Sequence, residues 1–135
     1  MSEENVEVVR GAYEAFAREG LDRFMEYFTD DVEYYVLAGG GSLELGLLHG
    51  TEGVRAWLQD WIDTFDDFRM ELVEVIDAGE ITVFTEERYG GCARLSRVEM
   101  NQANWTVFTV RDGKIVGGRE CWTREQAIEA AGSSE

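Results

Sequence analysis

A chain of 135 residues has the length of one domain, and a domain of this size buries roughly two-thirds of its unfolded surface. The formal charge of −16, from 28 acidic and 12 basic residues, repels phosphate backbones and anionic lipid head groups, so neither nucleic acid nor a membrane surface is an expected partner. Two cysteines and one histidine are too few for a disulfide framework or a protein-built metal centre, and no glycine-rich phosphate loop predicts a cofactor, so we expect no metal and no cofactor.

The first residues, Met1-Ser2-Glu3-Glu4, have neither the basic nor the apolar region of a signal peptide. No apolar run approaches the ~20 residues of a membrane span. We therefore expect a cytoplasmic protein.

Two helices are predicted at the start of the chain. Ser2 can cap a helix that runs to about Glu19, where Gly20 can close it. A shorter helix is expected to follow over residues 22–28 and to end at the acidic pair Asp30-Asp31.

A first strand and an ambiguous segment come next. Alternate residues of the stretch Val32–Val36 share a face, which predicts a strand. Residues 39–42 read Gly-Gly-Gly-Ser and predict a flexible loop. The segment from Leu43 to His49 is compatible with a short strand or with an apolar flap over a cavity.

The clearest amphipathic helix of the chain follows, and Thr51 is expected to cap it. Its apolar residues recur at intervals of three and four: Val54, Trp57, Leu58, Trp61, Ile62 and Phe65. Three further strands are predicted over residues 69–76, 81–89 and 94–101, with turns at 77–80 and at Gly90-Gly91.

A hairpin over Asn104–Trp122 is the strongest strand signal. Its first arm is almost entirely β-branched or aromatic, and residues 111–114 supply the turn. A short C-terminal helix follows, because Thr123 and Gln126 match a capping box. The order of elements predicts a single α+β domain over residues 1–135, with helices on one face of an antiparallel sheet.

The register of this hairpin decides which residues meet Glu120. With a three-residue loop over 111–113, Asn104 pairs with Glu120, and both face a pocket together with Phe108. With a two-residue turn, Trp105 stands opposite Glu120 instead. We adopt the first register, in which the opposite face of the hairpin covers a partner subunit with Trp105, Val107, Arg119 and Cys121.

Four short stretches together resemble the SnoaL-like branch of the nuclear transport factor 2-like superfamily: Val8–Phe16, Phe28–Glu33, His49–Arg55 and Val110–Ile115. The resemblance implies a strongly curved antiparallel or mixed sheet wrapped around three helices of the N-terminal half, forming a cone with a deep pocket, and a short C-terminal helix. Relatives of this type include ketosteroid isomerase, limonene-epoxide hydrolase, scytalone dehydratase, polyketide cyclases and proteins with no known activity. The resemblance therefore indicates a fold and leaves the activity open.

Glu120 is the carboxylate that the resemblance favours as a catalytic base or acid. Gly118-Arg119-Glu120 stands where similar epoxide hydrolases have Trp-Arg-Asp, whose Asp is catalytic. Burial in an apolar cone raises the pKa of a carboxylate, as proton transfer near neutral pH requires. The alternative is a glutamate paired with an arginine or exposed at the rim.

Glu87 aligns by resemblance with the arginine of the epoxide-hydrolase triad, and Tyr89 with its second Asp, so that triad is broken here. If Glu87 and Glu120 share the pocket as substrate-binding and catalytic groups, their repulsion keeps one of them protonated. The favoured alternative places Glu87 on a solvated acidic edge.

Two tyrosines are further catalytic candidates. Tyr13 stands where similar ketosteroid isomerases carry the tyrosine of their oxyanion hole, but Val36 and Thr106 replace the two acids of that site. Tyr34 matches the tyrosine that positions water in similar epoxide hydrolases, although Val36 replaces its companion Asn. A buried aromatic with a hydrogen-bonded hydroxyl is the alternative for Tyr13.

The remaining candidates are residues expected to bind a substrate: Glu87, Asn104, Trp57, Trp61, Phe108, Trp122 and His49. The tryptophans suggest a small, flat or cyclic, apolar or amphipathic molecule. Two functions stay open: a cofactor-independent isomerase, cyclase, dehydratase or hydrolase with Glu120 as its base, or a non-catalytic ligand-binding or dimerisation module. A homodimer through the convex sheet face is expected in either case.

Overall fold

The computed structural model describes residues 2–37, 45–121 and 123–133. Its helices are α1 (Ser2–Glu19), α2 (Leu21–Met25), α3 (Gly50–Thr64) and α4 (Arg124–Ser133). Its strands are β1 (Phe28–Leu37), β2 (Leu45–His49), β3 (Phe65–Asp77), β4 (Thr82–Ala93), β5 (Glu99–Arg111) and β6 (Lys114–Cys121). None of the helices in these ranges is long and apolar enough to cross a membrane.

The strands form one six-stranded sheet in the order β2-β1-β6-β5-β4-β3. Neighbouring strands are antiparallel, except that β1 and β6 run parallel. Helices α1 and α3 pack against one face of this sheet, which we call the inner face. The α+β class with a mixed sheet is thus confirmed, whereas the deep pocket stays a prediction.

Helix α3 lies where its apolar spacing predicts, except that it ends at Thr64 and that Phe65 is already the first residue of β3. Val54 and Leu58 are almost fully buried, and Trp57 and Trp61 are partly buried beside the core. The expected cap is wrong, however. The helix begins at Gly50, which has a φ of 76°, and His49 occupies the capping position without a side-chain capping bond.

The first strand begins earlier than predicted. Helix α2 ends at Met25, and β1 already starts at Phe28 and runs through the acidic pair Asp30-Asp31. Tertiary contacts override the local pattern here. The ring of Phe28 packs on that of Phe24 at 5.0 Å, and the backbone N–H of Ile115 donates to the carbonyl of Tyr27.

The ambiguous segment resolves partly into a strand. Leu45–His49 forms β2, antiparallel to β1 at the edge of the sheet. The loop expected over residues 39–42 and the start of this segment at Leu43 lie outside the described residues.

The turn between β4 and β5 is displaced from the prediction. Gly90 and Gly91 continue β4, and the chain turns instead at residues 94–96, so the strand expected from residue 94 begins only at Glu99. Backbone hydrogen bonds close the turn there, from Ala93 N–H to the Val98 carbonyl and from Arg97 N–H to the Ala93 carbonyl, both at 2.8 Å. Asp66, at the start of β3, also pairs with Arg94 and Arg97 at 2.9 Å.

The hairpin of β5 and β6 adopts neither register considered above. Arg111 pairs with Lys114 across a two-residue turn, and a bulge then shifts the pairing between Thr109 and Val110. Thr106 therefore stands opposite Glu120. The extra residue of the bulge restores the alternation of faces, so Asn104, Thr106, Phe108 and Glu120 are all buried on the inner face.

Helix α4 begins as predicted but lies on the other face of the sheet. The backbone N–H of Gln126 donates to the Thr123 hydroxyl at 3.1 Å, which confirms the cap. Its alanines pack against outward-facing residues of the sheet in a small second core of Phe84, Val107, Cys121, Ala127 and Ala131. The prediction that all helices lie on one face is therefore wrong for α4, and the homodimer through the outer face stays a prediction.

Candidate functional site

Buried polar side chains gather on the inner face of β4, β5 and β6, under α1. Alternate residues of a strand point to the same face, so three neighbouring strands can place several polar groups together. We call this group the inner cluster; each member is at most 5% exposed, and its members are Tyr13, Tyr34, Thr85, Glu87, Tyr89, Asn104, Thr106 and Glu120.

Glu87 accepts four hydrogen bonds from other members of the inner cluster. Its Oε2 accepts hydrogen bonds from the hydroxyls of Tyr13, at 3.0 Å, and of Thr85. Its Oε1 accepts from Asn104 Nδ2 at 3.0 Å and from the Thr106 hydroxyl at 3.2 Å. A carboxylate held by four donors has its hydrogen-bonding capacity filled by the protein itself.

Asn104 connects the two buried carboxylates. Its Nδ2 also lies 3.3 Å from Glu120 Oε2, while it donates to Glu87 at 3.0 Å. The Tyr89 hydroxyl donates to the same Glu120 oxygen at 3.4 Å. Glu87 and Glu120 therefore belong to one hydrogen-bond network. The sequence alone is compatible with this arrangement and with a solvated position for Glu87.

Burial governs the protonation of this network. Desolvation raises the pKa of Glu87, and the hydrogen bonds from Thr85, Asn104, Tyr13 and Thr106 oppose that rise. Burial and the nearby carboxylates also raise the pKa values of Tyr13, Tyr34 and Tyr89 well above 10.0. The three phenols are thus neutral at physiological pH, and Tyr13 and Tyr89 donate their hydrogen bonds to Glu87 and Glu120.

The variant Glu87→Gln is expected to change how stability depends on pH. The raised pKa means that, above the unfolded value of about 4.3, the native carboxyl binds more protons than the unfolded one. The stability that Glu87 contributes to the native state is therefore fully present below the unfolded pKa and is lost as pH rises through the native pKa. The free energy of unfolding of the wild type, relative to Glu87→Gln, should fall over that window in urea titrations at several pH values.

The neighbouring variant Glu86→Gln is the matched control for this measurement, because Glu86 points to the outer face and pairs with Arg124. A difference curve for Glu87→Gln that is flat with pH, or that rises, would contradict a raised pKa.

Tyr34 closes the inner cluster on the side of α3. Its ring lies 5.7 Å from that of Trp57 and 6.1 Å from that of Phe108. It also lies directly over Gly118, where an added Cβ would come within 2.6 Å of the ring. The absence of a side chain at Gly118 thus leaves room for this tyrosine.

A groove of about 300 Å³ runs along the flank of α3. We call it the α3 groove; its lining residues are Trp57, Asp60, Trp61, Thr64 and Phe65. The ring of Trp61 meets that of Tyr89 edge-on at 5.4 Å, so Trp61 stands between the groove and the Tyr89–Glu120 hydrogen bond.

The structure brings most of the predicted site residues together. Tyr13, Tyr34, Glu87, Asn104 and Glu120 belong to the inner cluster, with Phe108 against them and Trp57 and Trp61 in the α3 groove. The favoured alternative for Glu87, a solvated acidic edge, is wrong because the residue is 0% exposed.

Two predicted residues do not join this group. The His49 side chain is 72% exposed, and its Nδ1 lies 3.7 Å from Glu33 Oε2. Both side chains lie on the face of the β1–β2 pair that is opposite to Tyr34. Trp122 lies outside the described residues.

Sequence reasoning missed the role of Tyr89 and of two groove residues, Asp60 and Thr64. Tyr89 follows Glu87 by two positions on one strand, and that alternation was the available signal. Asp60 and Thr64 follow Trp57 at three and seven positions, a helical spacing that places them on one flank of α3. No three His, Cys, Asp or Glu side chains within the described ranges are grouped so that they could hold a metal ion.

Solved structures with the same architecture define the class of fold. Bal32a, from a soil-derived mobile gene cassette, is 21% identical with a TM-score of 0.75, over 96% of each chain. A nuclear transport factor 2-like protein from Burkholderia thailandensis E264 is 23% identical with a TM-score of 0.75, over 94% of this chain and 95% of that one. A protein from Jannaschia sp. CCS1 assigned as a SnoaL-like polyketide cyclase is 19% identical with a TM-score of 0.72, over 98% and 94%. Likenesses at this level of identity show the fold alone.

The family follows from the sequence match. The model of the SnoaL-like domain family matches residues 9–118, so the chain belongs to the SnoaL-like family. The resemblance found in the four short stretches is thereby confirmed. No curated protein matches the chain.

Proposed function

We propose that this protein is a cofactor-independent acid/base enzyme that acts on a small, largely apolar cyclic molecule, with Glu120 as the proton-transferring group. One observation carries the proposal: two carboxylates, Glu87 and Glu120, share a buried network and are bridged by Asn104. Burying two carboxyl groups costs stability unless they are paired or protonated, and such costs are concentrated at functional sites.

The two carboxylates have different roles in this proposal. Glu87 accepts four hydrogen bonds from the protein, so it positions Asn104 and Tyr13 and does not exchange protons with a substrate. The hydrogen bonds to Glu120, 3.3 Å from Asn104 and 3.4 Å from Tyr89, are longer than those that Asn104 and Tyr13 donate to Glu87, both 3.0 Å. Longer hydrogen bonds are more easily exchanged for bonds to a ligand.

The surroundings of Glu120 support an apolar ring as the substrate. Tyr34, Phe108 and Trp57 present aromatic surfaces on one side of the cluster. The neutral hydroxyl of Tyr89 can donate a hydrogen bond to an oxygen that gains charge as Glu120 removes a proton. Isomerisation, cyclisation, dehydration and hydrolysis all use this pair of roles, and the similar protein from Jannaschia is assigned as a polyketide cyclase.

Burial favours a second candidate function, a non-catalytic binding or dimerisation module. Glu87 and Thr106 are 0% exposed, and Glu120 is only 5% exposed. Polar residues that are so completely enclosed by their own chain can also serve to fix one arrangement of the core.

Deuterium incorporation separates the two functions without knowledge of the product. The protein is incubated in D2O with a panel of cyclic ketones, enones and 1,3-diketones, and exchange at the acidic carbon is followed by NMR. We expect catalysed exchange that falls about 100-fold or more in Glu120→Gln, since general base catalysis contributes about that much. The variant Tyr89→Phe should lose a smaller part of the rate.

The outward-facing Glu86→Gln is again the matched control and should retain the full exchange rate. Equal exchange by Glu120→Gln and the wild type would refute Glu120 as the base. Binding of panel members without exchange by the wild type would support the non-catalytic module.

A further inference from the structure

We propose that the α3 groove binds a quaternary ammonium group carried by a small organic molecule. This inference goes beyond the proposed function, because it concerns binding outside the inner cluster and holds whether or not Glu120 transfers protons. It rests on the aromatic lining of the groove, the charges around it and its size.

The lining presents π faces at different angles. The rings of Trp57 and Trp61 are 6.5 Å apart and nearly perpendicular, at 86°. The rings of Phe65 and Phe68 are both stacked on that of Trp61, at 5.7 Å and 22° and at 5.6 Å and 23° respectively. A cation within about 6 Å of such faces is attracted by their quadrupoles, and tryptophan is the strongest partner.

A carboxylate completes this lining. Asp60 belongs to the groove lining and stands between Trp57 and Trp61 in the sequence. Within the described residues it makes no ion pair with a basic side chain. The lining also includes the Thr64 hydroxyl and no cationic side chain. An aromatic surface with one negative charge matches an organic cation and disfavours an anion.

Two basic side chains on or bound to α3 are already engaged with other acids. Arg55, earlier on α3, pairs with Asp22. Arg94, whose Nη2 donates to the carbonyl of Ile62 near the end of α3, pairs with Asp66 at 2.9 Å. The groove therefore keeps its negative character, and the net charge of −16 further attracts cations toward the protein.

The size of the groove limits the ligand to a small molecule. Its volume of about 300 Å³ is at the lower end for ligand sites, and it accommodates a trimethylammonium group with a short substituent. A quaternary ammonium group fits better than a hydrated primary amine, because the aromatic lining offers few acceptors for N–H groups.

Three small molecules of matched shape test the inference: choline, its neutral carbon isostere 3,3-dimethylbutan-1-ol, and the anion isethionate. Binding is followed by the shifts of the indole N–H signals of the ¹⁵N-labelled full chain. We expect choline to bind about tenfold or more tightly than the alcohol, and isethionate not to bind.

Charge variants identify the groove as the site. Asp60→Asn keeps the shape of an exposed side chain and should weaken choline binding about threefold or more. Asp63→Asn removes the same charge three positions later on α3, where Asp63 accepts a hydrogen bond from Gln59. This variant should leave the affinity for choline unchanged.

Three results would overturn the inference: equal affinity for choline and the alcohol, an unchanged affinity in Asp60→Asn, or no choline-dependent shift of Trp57 and Trp61. Because this test measures binding and the deuterium test measures exchange, failure of one proposal is distinguishable from failure of the other.

Discussion

The variant Phe108→Ala is expected to lower the free energy of unfolding by about 3–5 kcal/mol. Phe108 is fully buried at the centre of the inner face, with its ring 6.3 Å from that of Tyr13 and 6.1 Å from that of Tyr34. Its removal would lose the transfer energy of the ring and leave a cavity that these aromatic neighbours cannot fill without moving.

Urea titration at neutral pH measures this loss, with the slope of the transition compared between variants. The matched control is Phe108→Leu, which keeps an apolar side chain of similar size and should cost less than about 1.5 kcal/mol. A loss below about 1 kcal/mol for the alanine variant would mean that the core collapses into the vacated space.

The variant Gly118→Val is expected to cost about 3 kcal/mol, because its new Cβ would collide with the ring of Tyr34. The closest atoms of that ring would be 2.6 and 2.8 Å from the Cβ. The ring cannot easily move away, since Trp57 and Phe108 pack on it.

A double-mutant cycle tests this explanation. Tyr34→Leu removes the ring, so the cost of Gly118→Val should become much smaller in that background, and the coupling energy should be about 1–3 kcal/mol. Strictly additive losses would show that Gly118 is needed for a reason other than the space of Tyr34.

Local patterns in the sequence were enough to predict that the four helices and the hairpin exist, but not where α2 ends or how the hairpin is registered. The spacing of Val54 and Leu58 predicts the buried side of α3, and Thr123 predicts the start of α4. Both signals can be read from the sequence because apolar spacing and capping involve residues that are near neighbours in the chain. The family and the fold class could also be read from short stretches, since these preserve the same local signals in order.

Contacts between distant residues could not be read in this way. The bulge at Val116 depends on how β6 meets both β1 and β5, so no count of turn residues reveals that Thr106 faces Glu120. The turn expected at Gly90-Gly91 lies at residues 94–96 instead, where Arg94 and Arg97 pair with Asp66, about thirty positions away in the sequence.

The candidate site was predictable in composition but not in arrangement. Glu87 stands in the charged run Glu86-Glu87-Arg88, which is typical of a solvated edge. Its burial is indicated only by the residues two positions away, Thr85 and Tyr89, which share its face. The outer position of α4 had no local signal, since its contacts are small alanines.

The position of β6 has a consequence for how the protein is made. β6 lies between β1 and β5, so the first two strands of the chain join the rest of the sheet through the last described one. On a ribosome, β1 and β2 are synthesised long before the strand that links them to the others. A nascent chain therefore cannot join the β1–β2 pair to the other strands until β6 emerges, and such long-range pairing makes folding slow.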